Sequence, residues 1–233
     1  MLKTIQTYFN AFTELLYPSL CPACGSHLIE NQKLCFHCEA NLPLTDFHLY
    51  EENEVTEKFD GRILIEKGGA LFRFTKSGRV QELIHQLKYR GNSEIGIHLG
   101  RLYGEILKAN NVFETVDLII PVPLHPKKEK QRGYNQSDMI AQGLSQTMSI
   151  PWQRDILIRT EYTTSQTQKS NFDRFENVKN AFTIDTPNAA KHKHILLVDD
   201  VLTTGATLEA CALKLLEIEG CRVSIVVLAI AAY

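Results

Sequence analysis

Apolar residues recur along this chain with two periods, one typical of helices and one typical of buried strands. Between residues 2 and 16 they recur at helical spacing, which predicts an amphipathic helix that ends at Tyr17-Pro18. From Gly69 onward, short apolar runs alternate with segments of helical period. Strands that are apolar on both faces and alternate with helices indicate a parallel sheet with right-handed crossovers.

The changes of period predict where these elements lie. We expect strands over residues 70–74, 116–122, 156–159, 194–198 and 222–232, and helices over residues 80–89, 95–107, 135–148 and 207–219. Residues 46–59 are acidic and poor in structural signals, which suits a linker or a variable loop. Residues 163–179 are polar and long for a loop in a compact domain, and such loops are usually functional or disordered.

Composition narrows the class of protein. With 233 residues, 44% of them hydrophobic, the chain suits one large domain with a small appendage. Its net charge of -2 argues against a generally basic nucleic-acid binder but allows local basic patches. No apolar run approaches the roughly 18–20 residues of a membrane span, and polar residues interrupt the N-terminal apolar pattern. We therefore expect no membrane span and no signal peptide, and we favour the cytoplasm.

Two acids directly follow the apolar run of residues 195–198. Asp199 and Asp200 stand where open α/β sheets bind ligands, and Gly205 lies in a Thr-rich turn that opens the next helix. The free N–H groups of a first helical turn suit a phosphate, and two carboxylates suit ribose hydroxyls and Mg²⁺. The alternative is a solvated strand end followed by an ordinary helix cap at Thr203 or Thr207. A cap needs only one such residue, so the pattern favours the phosphate site.

Four cysteines form two pairs whose spacing is typical of metal knuckles: Cys21, Cys24, Cys35 and Cys38. Thiolates in this arrangement suit a structural, tetrahedral Zn²⁺, while redox dithiols and two disulfides are the alternatives. His27 or His37 could replace one of the thiolates. Cys211 and Cys221 lie in apolar surroundings and are predicted to be buried small hydrophobic residues.

Residues 195–207 resemble the 5-phosphoribosyl-1-pyrophosphate (PRPP) signature of type I phosphoribosyltransferases. The resemblance extends to the ComF/GntX-like branch of that superfamily, in which a four-cysteine module precedes the transferase-like domain. Four further stretches carry it, namely residues 87–91, 120–126, 131–136 and 174–182. It implies an α/β fold with a parallel sheet flanked by helices, a hood and a small zinc-ribbon-like module. The expected domains are residues 1–45 for the zinc module and residues 60–233 for the transferase-like domain.

The resemblance also implies roles for individual residues. Asp199 and Asp200 would be the catalytic pair that holds the ribose hydroxyls, partly through Mg²⁺. Ligand-binding residues of the signature turn would be Val201, Leu202, Thr203, Thr204, Gly205, Ala206 and Thr207. On the pyrophosphate side they would be Leu124, His125, Pro126, Lys127, Lys128 and Arg132. The polar segment 163–179 would be the hood loop that closes over the site and excludes water.

The basic stretch from residue 125 to residue 134 has three interpretations. It is a solvated loop, or it binds the pyrophosphate, or it grips single-stranded nucleic acid through phosphate contacts and stacking on Tyr134. Arg79, Lys88, Tyr89 and Arg90 could extend a nucleic-acid surface.

Two functional hypotheses follow, and they belong to different classes. The first is an enzyme that transfers a phosphoribosyl group from PRPP, with Mg²⁺, to an unidentified acceptor. The second is a non-catalytic module that senses a phosphoribosyl ligand and holds single-stranded DNA, because the branch is associated with the DNA-uptake machinery of natural competence. A third option, a transferase relic that serves as a scaffold, stays open.

Overall fold

A four-stranded parallel sheet lies at the centre of the molecule. The computed structural model describes residues 18–29, 32–160 and 181–231, so the predicted helix 2–16 and the polar segment 163–179 lie outside the described residues. The strands are β1 (Gly68–Phe74), β2 (Leu118–Pro121), β3 (Leu157–Arg159), β4 (Phe182–Ile184), β5 (His194–Leu202) and β6 (Arg222–Ala231). The central sheet has the order β1-β6-β5-β2, and β3 pairs with β4 in a separate antiparallel ribbon.

Helices cover both faces of this sheet. The helices within the described residues are α1 (Phe36–Asn41), α2 (Glu54–Glu57), α3 (Arg79–Tyr89), α4 (Ser93–Ala109), α5 (Pro126–Arg132), α6 (Gln136–Met148) and α7 (Ala206–Leu216). Two short 3₁₀ turns lie at Phe47–Leu49 and Pro187–Ala189. The parallel sheet flanked by helices confirms the predicted fold class.

The strands are apolar throughout because each of their faces packs into its own core. Leu196 and Val198 of β5 pack into one core together with α3, α4 and α6, whereas Ile195 and Leu197 pack into the other together with α7. Alternate residues of a strand point to opposite faces, so a run without polar positions is what two buried faces require.

Helices α4 and α6 cross backbone against backbone. A Cβ atom added at Gly100 would collide with the carbonyl oxygen of Ile140, and one added at Gly143 would collide with that of Ile97. Only glycine allows so close an approach. The crossing holds α6 against the sheet, and the N-terminus of α6 therefore lies beside the carboxyl end of β5.

Several segments differ from the sequence prediction. Strand β5 continues to Leu202, because Val201 and Leu202 still pair with β6, so both acids lie within the strand and not after it. The basic stretch, predicted as a loop, contains helix α5, with Pro126 in its first turn and Gly133 in the left-handed conformation at its end. The strand β4 was not predicted, since three residues give too short a pattern.

The acidic segment 46–59 is not a linker. Asn53 caps α2 in a capping box with Thr56, and its side-chain amide also donates to the carbonyl oxygen of Gly68 in β1. Val55 and Phe59 are fully buried. The segment therefore packs onto the sheet as part of the core, and its acidic residues lie between apolar anchors.

None of the helices in the three described ranges combines the length and the apolar character that crossing a lipid bilayer demands.

Candidate ligand-binding cleft and cysteine cluster

Two carboxylates lie side by side at the carboxyl end of β5. Asp199 is partly buried and Asp200 is 8% exposed. The hydroxyl of Ser137, in the first turn of α6, donates to Asp199 Oδ1 over 2.9 Å, and the backbone N–H of Asp200 donates to the same oxygen over 2.8 Å. Lys88 Nζ of α3 lies 3.0 Å from Asp200 Oδ1. Each carboxylate is thus held by a side chain from a helix that packs on the sheet.

The protonation of Asp199 depends on its surroundings in the fold. Burial and the neighbouring charge of Asp200 raise the pKa of Asp199 to about 7. Ser137 and Lys88 oppose that rise but do not cancel it. A cation bound beside Asp199 would lower this pKa, because it favours the ionised form of the carboxyl group.

The turn after β5 leads directly into helix α7. Thr203 and Thr204 are exposed, and Gly205 is buried with a φ of 83°, a conformation that favours glycine. Gly205 is the N-cap of α7, and the cap makes no side-chain hydrogen bond. The first turn of an α-helix leaves backbone N–H groups without an intrahelical partner, and the helix dipole adds a partial positive charge there.

A cavity of about 340 Å³ lies beside the carboxylate pair. Its lining residues come from α3 and α5 and are Lys88, Tyr89, Lys128, Gln131 and Arg132. Burial, together with the charges of Arg159, Arg132 and Lys88, lowers the pKa of Lys128. Cations that crowd together in this way repel one another, and an anion among them would relieve the repulsion.

The structure divides the residues predicted for the pyrophosphate side. Lys128 and Arg132 line the cation cavity, whereas Leu124 and Pro126 line a second cavity of about 310 Å³ on another face of α5. His125 caps α5, with its Nδ1 accepting from the Lys127 N–H over 3.1 Å, and Lys127 is exposed. Their roles in binding stay predictions.

The four N-terminal cysteines converge on one point. The Sγ atoms of Cys21, Cys24, Cys35 and Cys38 all lie within 4.8 Å of one another, and those of Cys24 and Cys35 are 3.6 Å apart. A tetrahedral zinc with bonds of about 2.3 Å needs sulfur atoms about 3.8 Å apart, so the donor set fits this metal. The N–H of Cys35 donates to Cys21 Sγ, and that of Cys38 donates to Cys35 Sγ, as in a metal knuckle.

His37 faces away from this cluster. Its Nε2 lies 2.9 Å from Arg79 Nη2 of α3, and its Nδ1 lies 3.5 Å from Asn41 Nδ2. His37 therefore joins the cysteine module to α3, and the four thiolates form the candidate ligand set. The buried Cys21 and Cys38 pack in the same core as residues of α3 and α4.

Comparison with known proteins agrees with this geometry. The family model described as "Phosphoribosyl transferase domain" matches residues 135–232, a range that contains the carboxylate pair, the turn and Ser137. The chain therefore contains a region similar to phosphoribosyl transferase domains, and its relatives include proteins named competence protein F and competence protein ComFC. These matches agree with the resemblance seen in the sequence.

Three curated relatives illustrate the homology. The chain is 40% identical to the DNA utilization protein YhgH of Escherichia coli O157:H7 over 137 residues, which are 58% of this chain and 60% of that protein. It is 37% identical to competence protein F of Haemophilus influenzae over 54% of this chain and 57% of that one. It is 28% identical to competence protein ComFC of Bacillus subtilis over 62% and 56%. The match thus spans about 60% or less of each relative's length.

Two side chains around the cleft, Ser137 and Arg159, were not predicted as site residues, and Lys88 was predicted only as part of a nucleic-acid surface. Ser137 donates a hydrogen bond to Asp199, and Lys88 pairs with Asp200. Burial lowers the pKa of Arg159, and the nearby charge of Asp199 partly offsets that effect. Asn135 is the N-cap of α6, and Ser137 is the second residue of the helix. Its position in the sequence therefore indicated only an ordinary helix start. Only the packing of α6 on β5 reveals its contact.

The variant Asp199→Asn is expected to stabilise the protein at alkaline pH. Because the folded-state pKa is raised from 3.8 to about 7, the stability tied to this proton is complete below the unfolded value and is lost as the pH rises toward 7. Asparagine is uncharged and keeps an acceptor for Ser137. We expect the free energy of unfolding to rise by about 1–3 kcal/mol near pH 8 and to change little near pH 4. Urea denaturation at both values measures this, and an equal effect at both would contradict it.

Proposed function

We propose that this phosphoribosyltransferase-like domain binds PRPP together with Mg²⁺ and transfers its phosphoribosyl group to an acceptor. The proposal rests on one arrangement, in which Asp199 and Asp200 adjoin a helix-opening turn on one side and a cavity lined by three cations on the other. A ribose that carries a phosphate at one end and a pyrophosphate at the other has matching groups in the same order.

The carboxylates would bind the ribose. Their oxygens are acceptors for the two ribose hydroxyls and hard ligands for Mg²⁺, which when bound would neutralise part of the pyrophosphate charge. Lys88, now paired with Asp200, lines the cation cavity as well. When the ribose and the metal occupy the carboxylates, Lys88 can donate to the pyrophosphate instead.

Positioning and charge neutralisation would do most of the catalytic work. In the reaction the bond between the ribose C1 and the pyrophosphate oxygen breaks, a bond between C1 and the acceptor forms, and the acceptor loses a proton. Negative charge grows on the departing pyrophosphate, and the preorganised Lys128 and Arg132 would stabilise it. The hood loop predicted over residues 163–179 would exclude water, and it lies outside the described residues.

Turnover of PRPP tests the proposal. Pyrophosphate release is measured with PRPP, Mg²⁺ and a panel of nucleobases and amines, using the full chain. We expect release that depends on one class of acceptor and disappears in Asp200→Ala. No release with any acceptor, although PRPP binds, would leave a binding protein and not an enzyme.

The cation cavity yields a separate prediction. In Lys128→Gln and in Arg132→Gln, the affinity for pyrophosphate with Mg²⁺ should fall about tenfold, because each loses a charge-assisted hydrogen bond of about 1.5 kcal/mol. Lys130→Gln is the matched control, since Lys130 lies on the same helix but is exposed and does not line the cavity. Isothermal titration calorimetry measures all three. Equal losses in the three variants would point to the general charge of α5 and not to a site.

Single-stranded DNA binding is the second candidate function. The relatives bear the names DNA utilization protein and competence protein, and the exposed ring of Tyr89 lies 5.3 Å from the Arg132 guanidinium at the mouth of the cation cavity. A base could stack on such a ring while the cations hold the backbone. This candidate predicts binding that weakens with salt and on replacing Lys127, Lys128 and Arg132. Affinity unaffected by those replacements and by zinc removal would count against it.

A further inference from the structure

Residues 53–62, which include α2, reach the turn at Gly205. Asn53 begins this segment, and its side chain donates to the carbonyl oxygens of Phe47, Tyr50 and Gly68 and accepts from the N–H of Val55. Asn53 is 7% exposed, so these bonds are shielded from water. The segment therefore has a defined position relative to β1 and, through the sheet, relative to β5.

Phe59 and Arg62 of this segment lie against the turn itself. A Cβ atom built on Gly205 would be 3.1 Å from Phe59 Cε1 and 3.6 Å from Arg62 Nη2. Phe59 is fully buried and packs beneath the turn. Arg62 Cζ lies 5.9 Å from the centroid of the Phe59 ring. The backbone N–H of Arg62 donates to the backbone carbonyl oxygen of Phe59 over 3.0 Å.

A buried carboxylate orients the Arg62 guanidinium. Arg62 Nη1 lies 2.5 Å from Glu209 Oε2 in the first turn of α7, and the Glu209 side chain is only 4% exposed, whereas that of Arg62 is 36% exposed. A guanidinium carries five N–H donors in a fixed plane. While Nη1 contacts Glu209, Nη2 lies close to Gly205, at 3.6 Å from the position of a Cβ atom built there, and the side chain is 36% exposed to solvent.

We infer that Arg62 binds the terminal phosphate of the phosphoribosyl ligand and makes the cleft selective for 5-phosphorylated ribose. The inference rests on the proposed function and adds a residue from outside the signature. Guanidinium groups match phosphate oxygens in charge and geometry, and the N–H groups of the α7 first turn would bind the same phosphate. Glu209 acts as a positioning residue, because it holds Arg62 and does not face the ligand.

A role in phosphate binding gives a reason for the contact between Arg62 and the buried Glu209 beside Gly205. A purely structural ion pair with one buried member adds little net stability, since desolvation of the carboxylate offsets the attraction. A pair that keeps one guanidinium nitrogen beside a phosphate turn has a use in binding. If the pair is structural, its removal changes the stability of the protein. If Arg62 binds phosphate, its removal changes ligand selectivity.

Calorimetric titration of the full chain with two probes separates these roles. The probes are ribose 5-phosphate and pyrophosphate, each with Mg²⁺. Arg62→Gln alone would leave Glu209 buried without a cation, so the main variant is Arg62→Gln with Glu209→Gln, and Arg62→Lys is the conservative variant. The control is Arg73→Gln with Glu54→Gln, because Arg73 and Glu54 also form an ion pair, 2.7 Å apart, although both of these side chains are exposed.

We expect the double variant to lose about tenfold or more in affinity for ribose 5-phosphate and to keep its pyrophosphate affinity within about twofold. Arg62→Lys should retain part of the affinity for ribose 5-phosphate, and the control pair should retain all of it. Unchanged affinity of the double variant, or an equal loss for both probes, would overturn the role of Arg62. A wild-type chain that binds neither probe would overturn the proposed function itself, and the inference with it.

Discussion

Replacing Asp200 by alanine is expected to weaken the binding of PRPP with Mg²⁺ by about 100-fold or more. The ligand loses acceptors for a ribose hydroxyl and a ligand of the metal, and each charge-assisted hydrogen bond contributes about 1.5–3 kcal/mol. Lys88 also loses its partner, which lies 3.0 Å away, so the cation that faces the pyrophosphate is no longer held. Equilibrium dialysis with radiolabelled PRPP measures the loss.

The controls for Asp200→Ala separate chemistry from folding. Asp200→Asn keeps the shape and removes the charge, so it should lose the dependence on Mg²⁺ and fold normally. Asp155→Asn removes a charge from a side chain that is 77% exposed and should bind PRPP like the wild type. Retention of binding within about threefold in Asp200→Ala would mean that the carboxylate pair is not the ribose site.

Removing zinc is expected to unfold the cysteine module and leave the central sheet folded. The short segment 20–42 has few buried residues of its own, and metal binding supplies about 10–16 kcal/mol in small zinc modules. Cys38 is fully buried and offers one of the four thiolates, so Cys38→Ser should abolish the stoichiometric zinc. Elemental analysis and hydrogen exchange measure both effects, and rapid exchange should be confined to the module and the surface of α3 and α4 that it covers.

Cys221→Ser is the matched control for the zinc prediction. Cys221 is a buried thiol beside β6, remote from the cluster in the chain, and its replacement should leave one zinc per chain. Full zinc content in Cys38→Ser, or unchanged exchange of the module after chelation, would show that the four thiols do not form a structural metal site.

The fold could be predicted where a strand is buried on both faces, because such a strand is a continuous apolar run. Strands β5 and β6 are apolar almost throughout, because each packs into two cores. The turn at Gly205 was predictable for a related reason, since a glycine among threonines after two acids has few structural uses. The helices α3, α4 and α6 followed from their apolar stripes.

What was missed depends on contacts between distant parts of the chain. Arg62 and Glu209 are 147 residues apart and meet only because α2 packs on β1 while α7 follows β5. Segment 46–59 was predicted as a linker or variable loop because it is rich in acidic residues, although Val55 and Phe59 within it are buried. The pattern Asn53-x-x-Thr56 was the one local signal of a helix start there.

The most direct measurement is a calorimetric titration of PRPP into the full chain, with and without Mg²⁺. We predict binding of one PRPP per chain with a Kd of about 1–100 µM when Mg²⁺ is present, and affinity at least about tenfold weaker without it. No binding at millimolar PRPP with Mg²⁺ would contradict the assignment of the cleft to a phosphoribosyl ligand.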